Sequence, residues 1–349
     1  FIASLATTPT LIRYLGLTNF GTYILSLGVL ALVASVDLGL SRSVVYHLAR
    51  SKNIVHTKQI LSTSLILHTT LGTIFALITL VWFSLHLSIL ILSTFILSHY
   101  QAYHESQGNF GMVNLRAFVI GTTNTVVAAL LAYLGYGVFG ILISLSASTL
   151  FTILVMAMYT PASITKHLSM PDAKKLINYG LKLQIGKLVN SLQVQYPKLL
   201  FASNAVALTV LSLSSSLIAK AAGAVSQISI ALFPYSINSQ DNSKLRRYYI
   251  YSQLSLFSLG IIAIYLYSYF GYNVLYWWLG DMELASTLHT FLLTYRYYGL
   301  LLVLTPLAST MLDSRNMAGL SSLYALLALV IELAVVSLTY SGYGVMSIA

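Results

Sequence analysis

Long stretches without charge recur along this chain, and they constrain its fold more than any other feature. Cut at its polar clusters, the sequence leaves apolar runs near 19–40, 60–82, 87–103, 112–134, 137–159, 176–197, 206–234, 249–270, 286–311 and 317–339. About 20 helical residues cross the roughly 30 Å of hydrocarbon in a bilayer, so each run is long enough to span one. Inside hydrocarbon a backbone amide must bond within its own helix or around a closed barrel, and these runs lack the alternation of barrel strands. The pattern predicts ten complete transmembrane helices.

Composition agrees. Hydrophobic residues make up 57% of the chain and charged ones 7%, against about 25% charged in soluble domains. No water-facing surface can be built from so little charge, so the outer surface must face lipid. The chain has no cysteine, which excludes disulfide frameworks, thiolate metal sites and thiol nucleophiles. Its net charge of +10 would suit nucleic acid only if the basic residues shared one solvated face, which they do not. At the ends, residues 1–12 are apolar but too short to span and begin on Phe1, which reads as a clipped first helix. The closing GYGVMSIA reads as a turn and the start of another clipped helix. The expected fold is an all-α polytopic bundle of at least twelve transmembrane helices, truncated at both ends.

With the clipped helix starting in the cytoplasm, the inside loops are 41–59, 104–116, 160–175, 235–248 and 312–316, and they hold twelve of the 18 basic residues. The outside loops hold Arg13 and Lys198, and the loop after residue 270 carries Asp281 and Glu283. This is the positive-inside asymmetry of a membrane protein. No loop exceeds about 20 residues, and no H-E-x-x-H, G-x-S-x-G, Walker or dinucleotide-binding motif is present. The reading is therefore a non-enzyme with no catalytic residues, metal site or cofactor. The eight histidines are scattered, and the His104–Glu105 pair is expected to be a snorkelling cluster in a loop.

Charge within the spans costs about 2.5–3.5 kcal/mol per residue on insertion scales and usually faces a cavity. In the span from 176, Gly180, Gln184, Lys187, Ser191, Gln195 and Lys198 fall on one helical arc. In the next, Thr209, Ser212, Ser216, Lys220, Gly223 and Gln227 do the same, with Lys220 near mid-membrane. The span from 286 adds Arg296 beside His289 and Gly299, and the span from 317 adds Glu332. Small-residue stripes also serve as packing faces, and Lys182 reads as a snorkelling residue. Lys187, Lys220 and Arg296 are too many for Glu332 to neutralise, so a water-filled cationic cavity is expected, lined as well by Gln184, Ser216 and Lys198. An anionic passenger with a phosphate or pyrophosphate head suits it. Asp37 has two open readings, a helix-end cap or salt bridge and a gate or coupling-ion carboxylate. The tyrosines and Trp82, Trp277 and Trp278 read mostly as interfacial belts.

An internal duplication is faintly visible: Tyr23–Leu27 (YILSL) matches Thr209–Leu213 (TVLSL) at an offset of 186 residues. Two six-helix lobes follow, residues 1–160 and 176–349, joined by a cytoplasmic linker at 161–175, a plan that commonly puts a transporter's substrate site at the repeat interface.

LGLTNFGTYILSLGVLALVASVDLGLSRSVVYHLAR, from Leu15 to Arg50, resembles the opening of polysaccharide flippases of the O-antigen type, in the multidrug, oligosaccharidyl-lipid and polysaccharide exporter superfamily. The pieces that carry the resemblance are Leu15-Gly16, Phe20-Gly21-x-Tyr23 and Asp37-Leu38-Gly39-Leu40-Ser41-Arg42. AVALTVLSLSSSLIAKAAGAVSQISIALFPYSI and LTPLASTMLDSRNM are similar to later parts of the family pattern, although Ala205–Leu208 departs from it where a Gly and a Tyr are usual. The resemblance implies a two-lobed transporter of the bacterial inner membrane that moves undecaprenyl-pyrophosphate-linked oligosaccharide to the outer leaflet by ion-driven alternating access. The cationic seams would hold the pyrophosphate, and Asp37 and Glu332 would be candidates for proton or sodium coupling. The implied partners are lipid-linked oligosaccharide and membrane lipids, with room for a polysaccharide polymerase and a chain-length regulator, and no nucleic acid. A lipid II flippase, a multidrug exporter of the same superfamily and a membrane-embedded polymerase or ligase are the alternatives. A drug exporter calls for a carboxylate-rich cavity, and a polymerase for a large outer loop.

Overall fold

The structure is a computed structural model that describes residues 2–51, 53–160, 168–201, 204–220, 242–314, 320, 323–324, 326–331 and 333–334. All secondary structure among the described residues is helical. Six of these helices are long and apolar enough to cross a membrane: Leu5–Ser35, Ile54–Trp82, Leu85–Ser106, Phe110–Tyr133, Gly137–Met158 and Arg246–Leu279. Their outer faces fit lipid rather than water, since Val81, Trp82, Met158 and Trp277 are 78–84% exposed within broad apolar surfaces. Trp82 and Trp277 lie near the ends of their helices, at the depth where an amphipathic ring settles.

The chain divides into two compact units, Phe1–Gln195 and Tyr196–Ala349. The first holds α1 (Ile2–Ser35), α2 (Leu40–Arg50), α3 (Ile54–Trp82), α4 (Leu85–Ser106), α5 (Phe110–Tyr133), α6 (Gly137–Met158) and most of α7 (Met170–Leu200). The second holds the end of α7, then α8 (Ala205–Lys220), α9 (Asn242–Leu279) and α10 (Met282–Ser314). α7 and α10 match the membrane helices in length but carry more polar residues, and residues 161–167 and 221–241 lie outside the described ones.

The start of the chain differs from the expected clipped helix, loop and second span. α1 runs through both segments, leaving helical geometry only at Gly16 (φ 73, ψ 162), so Arg13 lies in a helix. A Cβ at Gly16 would meet nothing within 4 Å. The span expected to reach residue 40 stops at Ser35, and most of the expected inside loop 41–59 is helical. Charge marked that segment as a loop, yet α2 is amphipathic. Leu40, Val44 and Leu48 stack one turn apart into a core with Ile60, Leu61, Ala102 and Leu176, while Arg42 points outward. A helix with one buried stripe tolerates charge on its opposite face.

Between α1 and α2 the backbone turns sharply through Leu38 (φ 52) and Gly39 (φ 66). α7 presses directly on this corner. A Cβ on Gly39 would clash with the Gly180 carbonyl oxygen, and one on Gly180 with that of Leu38. One turn along α7, the Gln184 side-chain amide donates to the Ser35 carbonyl, one of the acceptors left over at the end of α1.

α3 and α4 form an antiparallel hairpin about Phe83 and Ser84, and the Ser84 hydroxyl accepts from Leu87 N–H at 3.3 Å. The register is visible in side-chain pairs equidistant from the turn. The Thr79 and Ser88 hydroxyls lie 3.2 Å apart, Gly72 packs on Phe95, and the His68 and His99 rings are 6.0 Å apart. In α5 a π-helical turn at Thr123–Val127 alters the bonding ladder. There the Tyr23 hydroxyl of α1 bonds the Asn124 carbonyl at 3.2 Å and its side-chain oxygen at 2.5 Å. In the second unit α9 and α10 pair about Gly280. Gln253 of α9 donates to the Leu304 carbonyl at 3.2 Å, and Ile218 of α8 lies where a Cβ on Gly299 of α10 would make ordinary contact.

Candidate functional site

The first unit contains a cavity of about 700 Å³ lined by parts of α1, α2, α4, α5 and α7. Its ionic groups are Asp37, Arg42, Glu105 and Arg116, and Ser35, Thr94, Ser98, Gln101 and Ser191 add hydroxyls and amides. The volume lies within the range of small-molecule sites.

Each charged group reaches the cavity for a local reason. Asp37 sits in the α1–α2 corner, where its carboxylate accepts from Gly39 N–H at 3.1 Å and from the Ser41 hydroxyl at 2.8 Å. The carboxylate thus lies beside the positive N-terminal end of α2 and ties the corner to its first turn through Ser41. It is 4% exposed, and the cavity is its outlet. Glu105, in the last turn of α4, accepts from the Gln101 amide at 2.5 Å and faces Arg42 at 3.7 Å. The Arg42 side chain is 73% exposed, so this ion pair contributes little. Arg116 of α5 has a buried Nε with no hydrogen-bond partner among the described residues.

Of the residues expected to carry the cationic cavity, those with described side chains do not line this one. Gln184 is buried and holds α7 to α1, and its Oε1 has no partner among the described residues. Glu332 and the side chain of Lys187 lie outside the described residues. In the second unit Ser216, Lys198 and Lys220 are half-buried. Arg296 is half-buried as well, with its guanidinium 4.9 Å from the centre of the Tyr297 ring and bonded to the Tyr297 hydroxyl at 3.1 Å. Among the described residues, Asp37 and Ser191 of the polar α7 arc are the ones singled out from the sequence that line the first-unit cavity.

A family described as "Polysaccharide biosynthesis protein" matches residues 10–282. The chain belongs to this family. No curated protein sequence matches it. Among solved structures it is similar to an inward-facing multidrug resistance MATE family transporter of the MOP superfamily, with TM-score 0.68, 18% identity, and coverage of 99% of this chain and 87% of that one. A Vibrio cholerae MATE transporter gives 0.60 at 13% identity, covering 100% and 93%. An outward-facing MATE family transporter of the MOP superfamily gives 0.57 at 17%, covering 99% and 89%. The protein is thus a multi-pass membrane member of the polysaccharide biosynthesis family with the fold of MOP superfamily transporters.

Within the family match, the stretch from Leu15 to Arg50 that carried the resemblance builds one wall of the cavity. Its Tyr23 anchors α1 to α5, and its Asp37-Leu38-Gly39-Leu40-Ser41-Arg42 forms the corner and the start of α2. The expected snorkelling of His104 and Glu105 does not occur. α4 continues to Ser106, which buries His104 against α6 with Nε2 3.1 Å from the Met156 carbonyl and turns Glu105 to the cavity. Sequence reasoning also passed over Arg116 and the His68–His99 pair. Hairpin register was the usable signal for the pair, since residues 68 and 99 are equally far from the turn at 83–84.

Proposed function

We propose that the protein is a flippase of the bacterial inner membrane that carries undecaprenyl-pyrophosphate-linked oligosaccharide from the cytoplasmic to the outer leaflet. Transport proceeds by ion-coupled alternating access in a complete bundle of at least twelve helices, arranged in two six-helix lobes at 1–160 and 176–349 about the linker 161–175. The observation that carries this reading is a polar cavity of about 700 Å³ among the membrane helices of a chain from a polysaccharide biosynthesis family. Hydroxyl and amide groups such as Ser98, Gln101 and Ser191 suit sugar hydroxyls. The Arg42 and Arg116 side chains in the cavity lining suit an anionic group. Lys187, Lys198, Lys220 and Arg296, with Gln184 and Ser216, are the proposed contacts of the pyrophosphate, and Asp37 and Glu332 the proposed coupling carboxylates. A cation exporter calls for excess negative charge, whereas Arg42 and Arg116 match Asp37 and Glu105 one for one.

Deletion of the protein, followed by fractionation of lipid-linked sugar between leaflets, tests the reading. Repeat units on undecaprenyl pyrophosphate should accumulate on the cytoplasmic side, and an unaltered distribution rejects the proposal.

A further inference from the structure

Arg13 stands apart from the basic residues that the positive-inside pattern gathers on the cytoplasmic side. It belongs to the outer rim. Past the break at Gly16, residues 17–35 supply about 28 Å of helix, enough to reach the cytoplasmic corner at Asp37. The Tyr14 ring meets that of Tyr133, the last residue of the span Phe110–Tyr133, edge on at 5.0 Å between ring centres. Arg13, Tyr14 and Tyr133 are all exposed.

A charge at that position calls for a counter-charge, and the first unit supplies none at that depth. Its carboxylates are Asp37, Glu105 and Asp172. Asp37 and Glu105 line the cavity at the cytoplasmic ends of α1 and α4, and Asp172 lies in the first turn of α7, next to the linker on the same side. The donors at the rim are uncommitted as well. Among the described residues the Arg13 guanidinium has the Tyr14 ring at 5.9 Å, and neither it nor the Tyr14 and Tyr133 hydroxyls makes a hydrogen bond. Phosphate oxygens only accept, and a guanidinium flanked by hydroxyls holds them through charge-assisted bonds. Leu130 and Val126 are exposed on the α5 face that runs down from Tyr133, about one and two turns beneath it. None of these residues lines the cavity. A donor-rich rim above an apolar helix face that opens to hydrocarbon matches the two-part chemistry of a lipid.

We propose that Arg13, Tyr14 and Tyr133 bind the phosphate head of an anionic phospholipid of the outer leaflet, whose acyl chain lies along Leu130 and Val126. The bound lipid joins α1 to α5 at the rim. Its occupant is a bulk phospholipid rather than the carried lipid, because the site lies on the bilayer face of α5 and not in the cavity wall. The site stands whether or not the protein moves lipid-linked sugar.

The test places a fluorophore on Leu130→Cys in the full chain, held in phosphatidylcholine nanodiscs with a small fraction of lipid spin-labelled on its acyl chain. Spin-labelled phosphatidylglycerol should quench it about fivefold more effectively than spin-labelled phosphatidylcholine, the worth of one arginine at an anionic surface. A fluorophore on Val81→Cys, exposed near the outer end of α3, should be quenched equally by both. Arg13→Gln and high salt should each bring the two lipids level at residue 130, and Tyr14→Phe with Tyr133→Phe should narrow the gap. Equal quenching with Arg13 intact overturns the proposal, as does a preference that survives Arg13→Gln, is untouched by the tyrosine pair or is as strong at residue 81. If Arg13→Gln does not fold, the salt titration of the unaltered rim decides. Undecaprenyl pyrophosphate that expels the labelled phospholipid at equimolar amounts makes the carried lipid the occupant and overturns the phospholipid.

Discussion

At the scale of single residues, three glycines make contrasting predictions. Gly39 combines a left-handed backbone with contact to the Gly180 carbonyl, so Gly39→Ala meets both strain and a clash with backbone that cannot rotate away. It should destabilise the protein by more than the roughly 1–2 kcal/mol of left-handed strain alone. Gly180→Ala meets the same clash from the other side. Gly16→Ala, with open space around it, should cost only the roughly 1–3 kcal/mol of its own glycine-favouring backbone (φ 73, ψ 162). Thermal unfolding of the three purified variants in one detergent checks this order, and equal losses contradict it. Glu105→Gln removes the partner of a largely exposed Arg42. Its unfolding free energy should change by less than about 1 kcal/mol in the same assay.

Among the elements, the α3–α4 hairpin register carries the most consequence, because it brings His68 to His99. The natural chain has no cysteine, so engineered pairs report without background. Thr79→Cys with Ser88→Cys replaces two hydroxyls 3.2 Å apart and should cross-link readily on mild oxidation. Thr79→Cys with Phe95→Cys, about two turns out of register, should not. In α2, Leu48→Ala should cost about 2–5 kcal/mol as a buried deletion, while Arg42→Ala should change stability little. Apolar runs made α3 to α6 legible from the sequence, because spanning a bilayer demands a length and a composition that leave an unmistakable trace. α2 was hidden because its charge fell on the exposed face of a helix and read as loop. Of the cavity, Asp37 stood out because a lone carboxylate at the end of an apolar run is conspicuous. Glu105 and Arg116 did not, because a charge near a span end looks the same whether it faces water or a cavity. His68 and His99 stayed invisible until hairpin register brought residues 31 positions apart to the same depth.

For the whole molecule, orientation and cargo remain the properties to measure. The positive-inside pattern puts the turn at Phe83 and Ser84 outside and the segment around Gln107 inside. Ser84→Cys should therefore react with a membrane-impermeant thiol reagent in intact cells, and Gln107→Cys only after permeabilisation. Labelling in the opposite sense would invert the topology. The central claim is that this membrane protein moves a lipid-linked oligosaccharide between leaflets through its polar interior. Its most direct test uses the purified chain in proteoliposomes loaded with undecaprenyl-pyrophosphate-linked oligosaccharide, with a lectin outside to count sugar arriving at the outer leaflet. A pH gradient should drive exposure well above that in protein-free vesicles, and Asp37→Asn should remove the gradient's effect. Exposure equal to that of protein-free vesicles, with folded protein present and the gradient intact, would contradict the account.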